Sequence, residues 1–161
     1  MTGFEYALAG LMAATGYIKE GETMVRAIRD RYDGEKRNPW NEIECGHNYA
    51  RTMASYALMP IYSGFSFDMT QKYIGFAPIV KGDGQYVWSV GNTWGTVRFA
   101  GKLCVLTVQG DPLKLEAFGL RNADVAASVC ADGETVAFES HSEKITFAEC
   151  VITRELVIET R

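Results

Sequence analysis

The chain has 161 residues, of which 47% are hydrophobic and 12% aromatic, and its formal net charge is −4. This length and apolar content predict a folded protein with a core of its own rather than a disordered chain. The mild negative charge, without a basic cluster, excludes nucleic acid as the expected partner, because phosphate binding needs grouped Lys and Arg. No apolar run reaches the roughly 18 residues of a membrane span, and the opening residues lack the basic region of a signal peptide.

The four cysteines, Cys45, Cys104, Cys130 and Cys150, fit neither a zinc nor a redox spacing. Three of them lie in apolar, strand-like runs, where a buried free thiol is the ordinary interpretation. We therefore expect no metal site and no cofactor. A reducing, cytoplasmic location is expected, while a secreted origin with a lost leader stays open.

A helix is predicted over residues 3–17, with Gly16 as its stop. Large apolar residues recur along it at three- and four-residue spacing, namely Phe4, Ala7, Leu8, Leu11 and Met12. The opposite side carries Tyr6 and alanines rather than charges, which predicts a helix that is buried on both sides. Thr2 is a candidate N-cap. If the chain stood alone, this helix would expose an apolar patch of the kind that drives association.

Two more helices are predicted in the N-terminal third. One runs over residues 20–33, with Gly34 in the left-handed position that follows a helix end. The other begins near Asn48 and continues to about Tyr62, where Pro60 is expected to kink or end it.

From Phe65 onward the hydrophobic period changes to two. Ten strand patterns follow, over residues 65–69, 72–76, 85–90, 95–99, 103–108, 113–118, 124–129, 135–139, 144–147 and 151–158. Asp83-Gly84 and Asp132-Gly133 are typical of hairpin turns. The predicted fold class is therefore α+β: about three N-terminal helices over 1–64, followed by an antiparallel β-sandwich-like unit over 65–161.

A dense polar stretch over residues 38–51 lies between the predicted second and third helices. It combines two carboxylates, an imidazole, a guanidinium, three amide side chains and two aromatic rings. Glu42 and Glu44 project to the same side of an extended segment, which suits acid/base chemistry or hydrogen bonding to sugar hydroxyls. Trp40 could stack on a pyranose ring, and Arg51 could charge and orient a Glu. The ordinary alternative is a solvated acidic loop.

Other candidates have plainer interpretations. His47 could act as a general acid, a ligand or a helix cap. The ordinary alternative is a histidine with a structural role only. A nucleophilic pair of Cys45 with His47 lacks an orienting acid. Trp88 and Trp94 could form a second sugar platform, but we favour a place in the sandwich core and its hairpin.

One long sequence motif in the N-terminal third is similar to that of a known protein family. Residues 37–47, read Arg-Asn-Pro-Trp-Asn-Glu-Ile-Glu-Cys-Gly-His, are followed by Tyr49-Ala50-Arg51. With Gly3-Phe4-Glu5-Tyr6-Ala7-Leu8-Ala9 before them, they make residues 2–66 similar to the C-terminal part of glycoside hydrolase family 116, which includes bacterial β-glucosidases and non-lysosomal glucosylceramidases. The strand region resembles the family's C-terminal extension more loosely, at Phe76-Ala77-Pro78 and Trp94-Gly95-Thr96.

The resemblance implies a retaining β-glycosidase on an (α/α)6 toroid, of which these helices would be the end. Glu42 and Arg51 match positions that hold the hydroxyls of the bound glucose, with Glu44, His47 and Trp40 close by. The nucleophile and the acid/base residue are expected upstream of this chain, and three helices do not close a toroid, so the chain alone is expected to be inactive. Met59-Pro60 departs from the family's uninterrupted helix.

The expected partners are a β-glucoside-type carbohydrate or glycolipid, and the remainder of the enzyme or a second copy of the chain. The alternative function is a non-catalytic carbohydrate-binding or structural and interaction module.

Overall fold

The computed structural model describes residues 1–32, 34–36, 53–121 and 126–161. The chain divides into two compact units, a helical unit over Met1–Tyr62 and a β unit over Ser63–Arg161. Helices come first and mainly antiparallel sheets follow. The predicted α+β class is confirmed.

The first two helices differ from the predicted helices mainly at their ends. Helix α1 spans Thr2–Ala14, and α2 spans Ile18–Arg29. Gly16 has φ +97° and, as predicted, follows the end of α1. Met1, not Thr2, holds the N-cap position of α1, without a side-chain cap. Gly34 has φ +89°, but it lies beyond α2, which ends four residues before its predicted last residue.

Helices α1 and α2 pack against each other through small residues. Ala9 and Ala13 of α1 are fully buried, and a Cβ on Gly21 of α2 would lie 2.7 Å from the Ala9 carbonyl oxygen. This approach places the small-residue side of α1 inward. Phe4 and Leu11 are 73% and 60% exposed, so the expected burial of α1 on both sides is wrong for this structure. Among the described residues, the side of α1 that carries Phe4 and Leu11 stays exposed.

The third predicted helix is a short compound element. A 3-10 helix over Met53–Ala57 continues into α3 over Leu58–Ser63, and residues 48–52 of the prediction lie outside the described residues. Pro60 neither kinks nor ends α3, because it occupies the first turn, where a backbone N–H would have no helical partner. The change from 3-10 to α geometry lies just upstream of it.

The β unit contains twelve strands among the described residues. They are β1 Ser66–Asp68, β2 Tyr73–Phe76, β3 Gly84–Val90, β4 Thr93–Ala100, β5 Leu103–Thr107, β6 Gln109–Gly110, β7 Leu113–Leu120, β8 Ala126–Ala131, β9 Glu134–Thr135, β10 Glu139–His141, β11 Lys144–Ile152 and β12 Glu155–Thr160.

The strands form two sheets. The first has the order β1-β2-β7-β11-β10, and the second has the order β3-β4-β5-β12-β8-β9, with β6 paired to β4. Among the described pairs β2 and β7 alone run parallel, which departs from the expected antiparallel pattern. The chain leaves the first sheet after β2, builds β3–β6 in the second sheet, and then returns to β7.

A single apolar core fills the space between the sheets. The first sheet contributes fully buried Ile74 and Phe118, and the second contributes Val97, Leu106 and Ile158. Side chains alternate inward and outward along strands such as β4, as the period of two requires. The unit is therefore a β-sandwich with one core.

The structure confirms one of the predicted hairpin turns and corrects the other, and it changes the bounds of two predicted strands. Asp132-Gly133, with φ of +52° and +91°, joins β8 to β9 as the predicted hairpin. Asp83-Gly84 is not a hairpin, because β2 and β3 belong to different sheets. The predicted strand over 151–158 is interrupted after Ile152, where β11 ends and the chain turns into β12. The pattern over 135–139 supplies only the end of β9 and the start of β10.

Candidate functional site

The five predicted site residues are Trp40, Glu42, Glu44, His47 and Arg51, and all of them lie outside the described residues. The expectation that Glu42 and Arg51 approach each other on one concave surface therefore stays a prediction.

The described elements on either side of residues 37–52 both pack on α1. Helix α2 contacts α1, and so does the 3-10 helix over Met53–Ala57. Arg31, after the end of α2, donates to the Glu5 carboxylate at 2.6 Å, and this hydrogen bond lowers the pKa of Glu5. Lys36 donates to the carbonyl oxygen of Asp30 at 3.1 Å. The described elements before and after this stretch are thus held on the same helix.

The outward side of α1 is apolar. Phe4, Leu8 and Leu11 follow each other at spacings of four and three, so they share one helical face, and they are 73%, 48% and 60% exposed. Met1 adds a further exposed apolar side chain at the start of this face. We call Met1, Phe4, Leu8 and Leu11 the α1 apolar face. The predicted apolar patch is therefore present.

The two tryptophans of the β unit do not form a shared platform. Trp88 is 4% exposed and belongs to the sandwich core, which confirms the favoured interpretation for that residue. Trp94 is 53% exposed and lies in the β3–β4 hairpin, so it takes the hairpin place in the same interpretation. Strands β3 and β4 form a hairpin in which Ser89 pairs with Trp94, and Trp88 therefore points to the opposite face.

A polar depression lies on the outside of the first sheet. It has a volume of about 600 Å³ and is lined by Asp68, Gln71, Tyr73, His141, Ser142, Glu143 and Lys144. An aromatic side chain among acids, amides and cations is a composition that suits sugar hydroxyls and ring faces. The sequence prediction missed this group because its members are about 70 residues apart and meet only through the strand order.

Tyr73 is fixed in that depression by packing on glycine. Its ring lies over the cross-strand pair Gly75 and Gly119, where a Cβ on either residue would overlap the ring. The Tyr73 hydroxyl is 3.2 Å from the Ser66 hydroxyl, and the Lys144 ammonium is 5.6 Å from the ring centroid. The glycine backbone therefore lies against the ring, and a cation lies close to it. The alternation of Tyr73 with Gly75 is the sequence signal that could have indicated this packing.

Two charged clusters in the β unit are occupied by internal hydrogen bonds. The Lys72 ammonium contacts Glu116 at 2.7 Å and Glu149 at 2.6 Å, and these contacts raise its pKa. The Asp132 carboxylate accepts from the Thr153 hydroxyl and from three backbone N–H groups of the turn between β11 and β12. Those bonds hold its pKa well below the usual range. The side chains of both clusters therefore hold neighbouring strands and turns together.

The described thiols are free and sheltered. Cys104 and Cys150 are buried, as the strand patterns predicted, whereas Cys130 is only half-buried and Cys45 lies outside the described residues. Burial raises the pKa of the Cys104 thiol to about 12, so this thiol stays protonated and is a poor nucleophile at neutral pH.

Within the described ranges, no three or more His, Cys, Asp and Glu side chains come together in a group that could hold a metal ion. The same ranges contain no helix that is both long enough and apolar enough to cross a membrane.

Compared with known proteins, the chain matches no protein-family model and no curated protein.

Proposed function

We propose that this chain is the C-terminal part of a retaining β-glycosidase of the β-glucosidase or glucosylceramidase type. It supplies the side chains that hold the hydroxyls of the bound glucosyl unit. The nucleophile and the acid/base residue come from another part of the enzyme, where two carboxylates roughly 5 Å apart would carry out double displacement.

The sugar-holding role rests on the chemistry of residues 37–51. Glu42 accepts hydrogen bonds from sugar hydroxyls, and the Arg51 guanidinium keeps Glu42 ionised and fixes its orientation. Trp40 offers an apolar ring for the sugar face, and Glu44 and His47 add hydrogen-bonding groups beside it. Ionised acceptors make the stronger hydrogen bonds, which is why a carboxylate suits this task.

The structural observation that carries the proposal is the α1 apolar face. Helix α1 packs Ala9 and Ala13 on α2 and leaves Phe4, Leu8 and Leu11 exposed. Exposed apolar patches of this kind mark interaction surfaces in soluble proteins. A helical unit that needs further helices is expected of the end of a toroid, and the missing helices would come from the rest of the enzyme or from a second copy.

The first test is hydrolysis of 4-nitrophenyl β-glucoside together with binding of methyl β-glucoside. The proposal predicts binding without turnover, and binding at least about tenfold weaker in Glu42→Gln, since a charged hydrogen bond contributes roughly 1.5–3 kcal/mol. Glu139→Gln, an exposed carboxylate of the β unit, is the matched control and should bind as the parent does. If the chain alone hydrolysed the substrate and Glu42→Gln abolished that activity, a complete active site would be present in this chain. That result would contradict the proposal that the nucleophile and the acid/base residue come from another part of the enzyme.

The alternative, a non-catalytic carbohydrate-binding module, is favoured by one observation, the polar depression around Tyr73. In that case methyl β-glucoside would shift the backbone amide resonances of Gln71, Tyr73 and Lys144, and Glu42→Gln would leave the affinity unchanged. The glycosidase proposal predicts the reverse on both counts.

A further inference from the structure

The β unit contains a second, chemically different cavity at one end of the sandwich. It has a volume of about 440 Å³ and lies where β2 and β7 end, beside the loop over 77–83 that carries the chain from the first sheet to the second. Phe76 and Leu120, which are register partners on β2 and β7, line it from the first sheet. Phe99 lines it from the second sheet. This size lies within the range of roughly 300–1,000 Å³ that is typical of small-molecule sites.

The aromatic walls of this cavity are held by other rings. The Phe76 ring stacks on Phe65 with a centroid distance of 5.1 Å, and Phe118 lies 5.9 Å away on the core side. The Phe99 ring meets Tyr86 edge to face at 6.2 Å. Because these walls belong to the packed core, the cavity is formed before any ligand arrives.

The loop beside the cavity is fixed at both ends. The Ala77 N–H donates to the carbonyl oxygens of Ser63 and Gly64, each at 3.2 Å. At the other end the Asp83 carboxylate accepts from the Gly101 N–H at 2.8 Å. The loop therefore does not have to be ordered at the moment of binding, which removes one of the main costs of association.

The charged groups at the cavity are cationic. Lys81 and Arg121 are exposed and line it, and no acidic side chain lines it among the described residues. Neither cation makes an ion pair with a described carboxylate, and the acid near Lys81 in sequence, Asp83, is hydrogen-bonded to backbone. A chain of net charge −4 thus presents two cations at a cavity whose walls include the apolar side chains of Phe76, Phe99 and Leu120.

We propose that this cavity binds a small organic anion with an apolar body, of the class of medium-chain or aromatic carboxylates. The carboxylate pairs with Arg121, whose planar guanidinium can donate two parallel hydrogen bonds, and with Lys81. The apolar body contacts Phe76, Phe99 and Leu120. This site lies in the β unit and does not depend on the proposed sugar-binding role of residues 37–51.

The test is a titration of the full chain with octanoate at low salt, followed by backbone amide NMR. We expect octanoate to shift the amides of Lys81, Gly82 and Arg121. Octylammonium has the same chain length and the opposite charge, and inorganic phosphate offers charge without an apolar body. Each should bind at least about tenfold more weakly than octanoate, since one unfavourable or missing interaction of about 1.4 kcal/mol changes affinity tenfold.

The matched variants separate charge at the cavity from charge elsewhere. Lys81→Gln with Arg121→Gln should weaken octanoate at least tenfold. Arg98→Gln with Lys102→Gln removes the same two charge types from exposed positions of the same unit that do not line the cavity, and should change affinity less than twofold. Amide spectra show whether each variant keeps the fold. Equal binding of octanoate and octylammonium, equal effects of the two double variants, or no shift of the cavity amides would overturn the proposal.

Discussion

Asp132 is predicted to be the carboxylate whose loss most weakens the β unit. Its two oxygens accept four hydrogen bonds at 2.6–2.9 Å, from the Thr153 hydroxyl and from the N–H groups of Thr153, Arg154 and Glu155. Asp132→Asn keeps the side-chain size and tolerates the observed φ of +52°, but one acceptor oxygen becomes an amide donor. Hydrogen bonds to a charged acceptor contribute roughly 1.5–3 kcal/mol each when buried. Because Asp132 is partly exposed and these hydrogen bonds lie at the surface, solvent screening reduces the expected total loss to about 1–2 kcal/mol.

The stabilisation by Asp132 is expected to decrease as the pH falls. The pKa of Asp132 is depressed in the folded state, so its contribution is fully present above the unfolded value of about 3.9 and is lost as the pH falls towards the folded value. Urea unfolding, followed by the fluorescence of buried Trp88, should show the full difference between parent and Asp132→Asn at pH 7 and a smaller one at pH 3.

The control for this measurement is Asp111→Asn, which removes the same charge from an exposed position of the same unit. It should change the free energy of unfolding by less than about 0.5 kcal/mol. Equal losses in the two variants, or a difference that is as large at pH 3 as at pH 7, would refute the reasoning.

Two further predictions concern packing in the β unit. Gly64 and Gly101 have nearly equal φ, +59° and +57°, but a Cβ on Gly64 would overlap a carbonyl oxygen, whereas a Cβ on Gly101 meets nothing within 4 Å. Gly64→Ala should therefore cost about 1–3 kcal/mol more than Gly101→Ala in urea unfolding, and equal costs would show that backbone conformation alone matters. The buried Cys104 thiol should react with a disulfide reagent at pH 8 only at the rate of unfolding, and prompt labelling of that residue in the native protein would contradict its burial.

Sequence periodicity predicted the element types well and the buried face of α1 poorly. Large residues such as Phe4 and Leu11 dominate any hydrophobic pattern, yet the helix pair packs through Ala9, Ala13 and Gly21, because small residues allow the backbones to approach. The burial of a helix face depends on which partner is present, and the sequence of one helix does not contain that information.

Strand alternation failed where the ladder is irregular. The patterns over 144–147 and 151–158 suggested two strands, but β11 runs continuously over Lys144–Ile152 with a register shift between Thr146 and Cys150. The bulge puts Ala148 and Glu149 outside in succession, so the alternation changes phase within one strand. The parallel pairing of β2 with β7 is equally invisible to periodicity, because it depends on the route of the chain between sheets.

The candidate sites also differ in how far the sequence alone could indicate them. Residues 37–51 could be proposed as a site from the sequence alone, because their polar and aromatic side chains are concentrated in one stretch; they lie outside the described residues, so this proposal stays a prediction. The polar depression around Tyr73 and the cavity between Lys81 and Arg121 could not, because each brings together residues from distant strands.

The central claim is that Glu42 and Arg51 act together to hold a glucosyl unit, and a double-mutant cycle on methyl β-glucoside binding tests it most directly. The affinities of the parent, Glu42→Gln, Arg51→Gln and the double variant are measured by calorimetry, with the fold of each checked by amide NMR. The proposal predicts that each single variant weakens binding and that the two losses are non-additive, with a coupling of about 0.5–3 kcal/mol. Losses that add to within about 0.3 kcal/mol, or sugar binding that neither substitution changes, would contradict it.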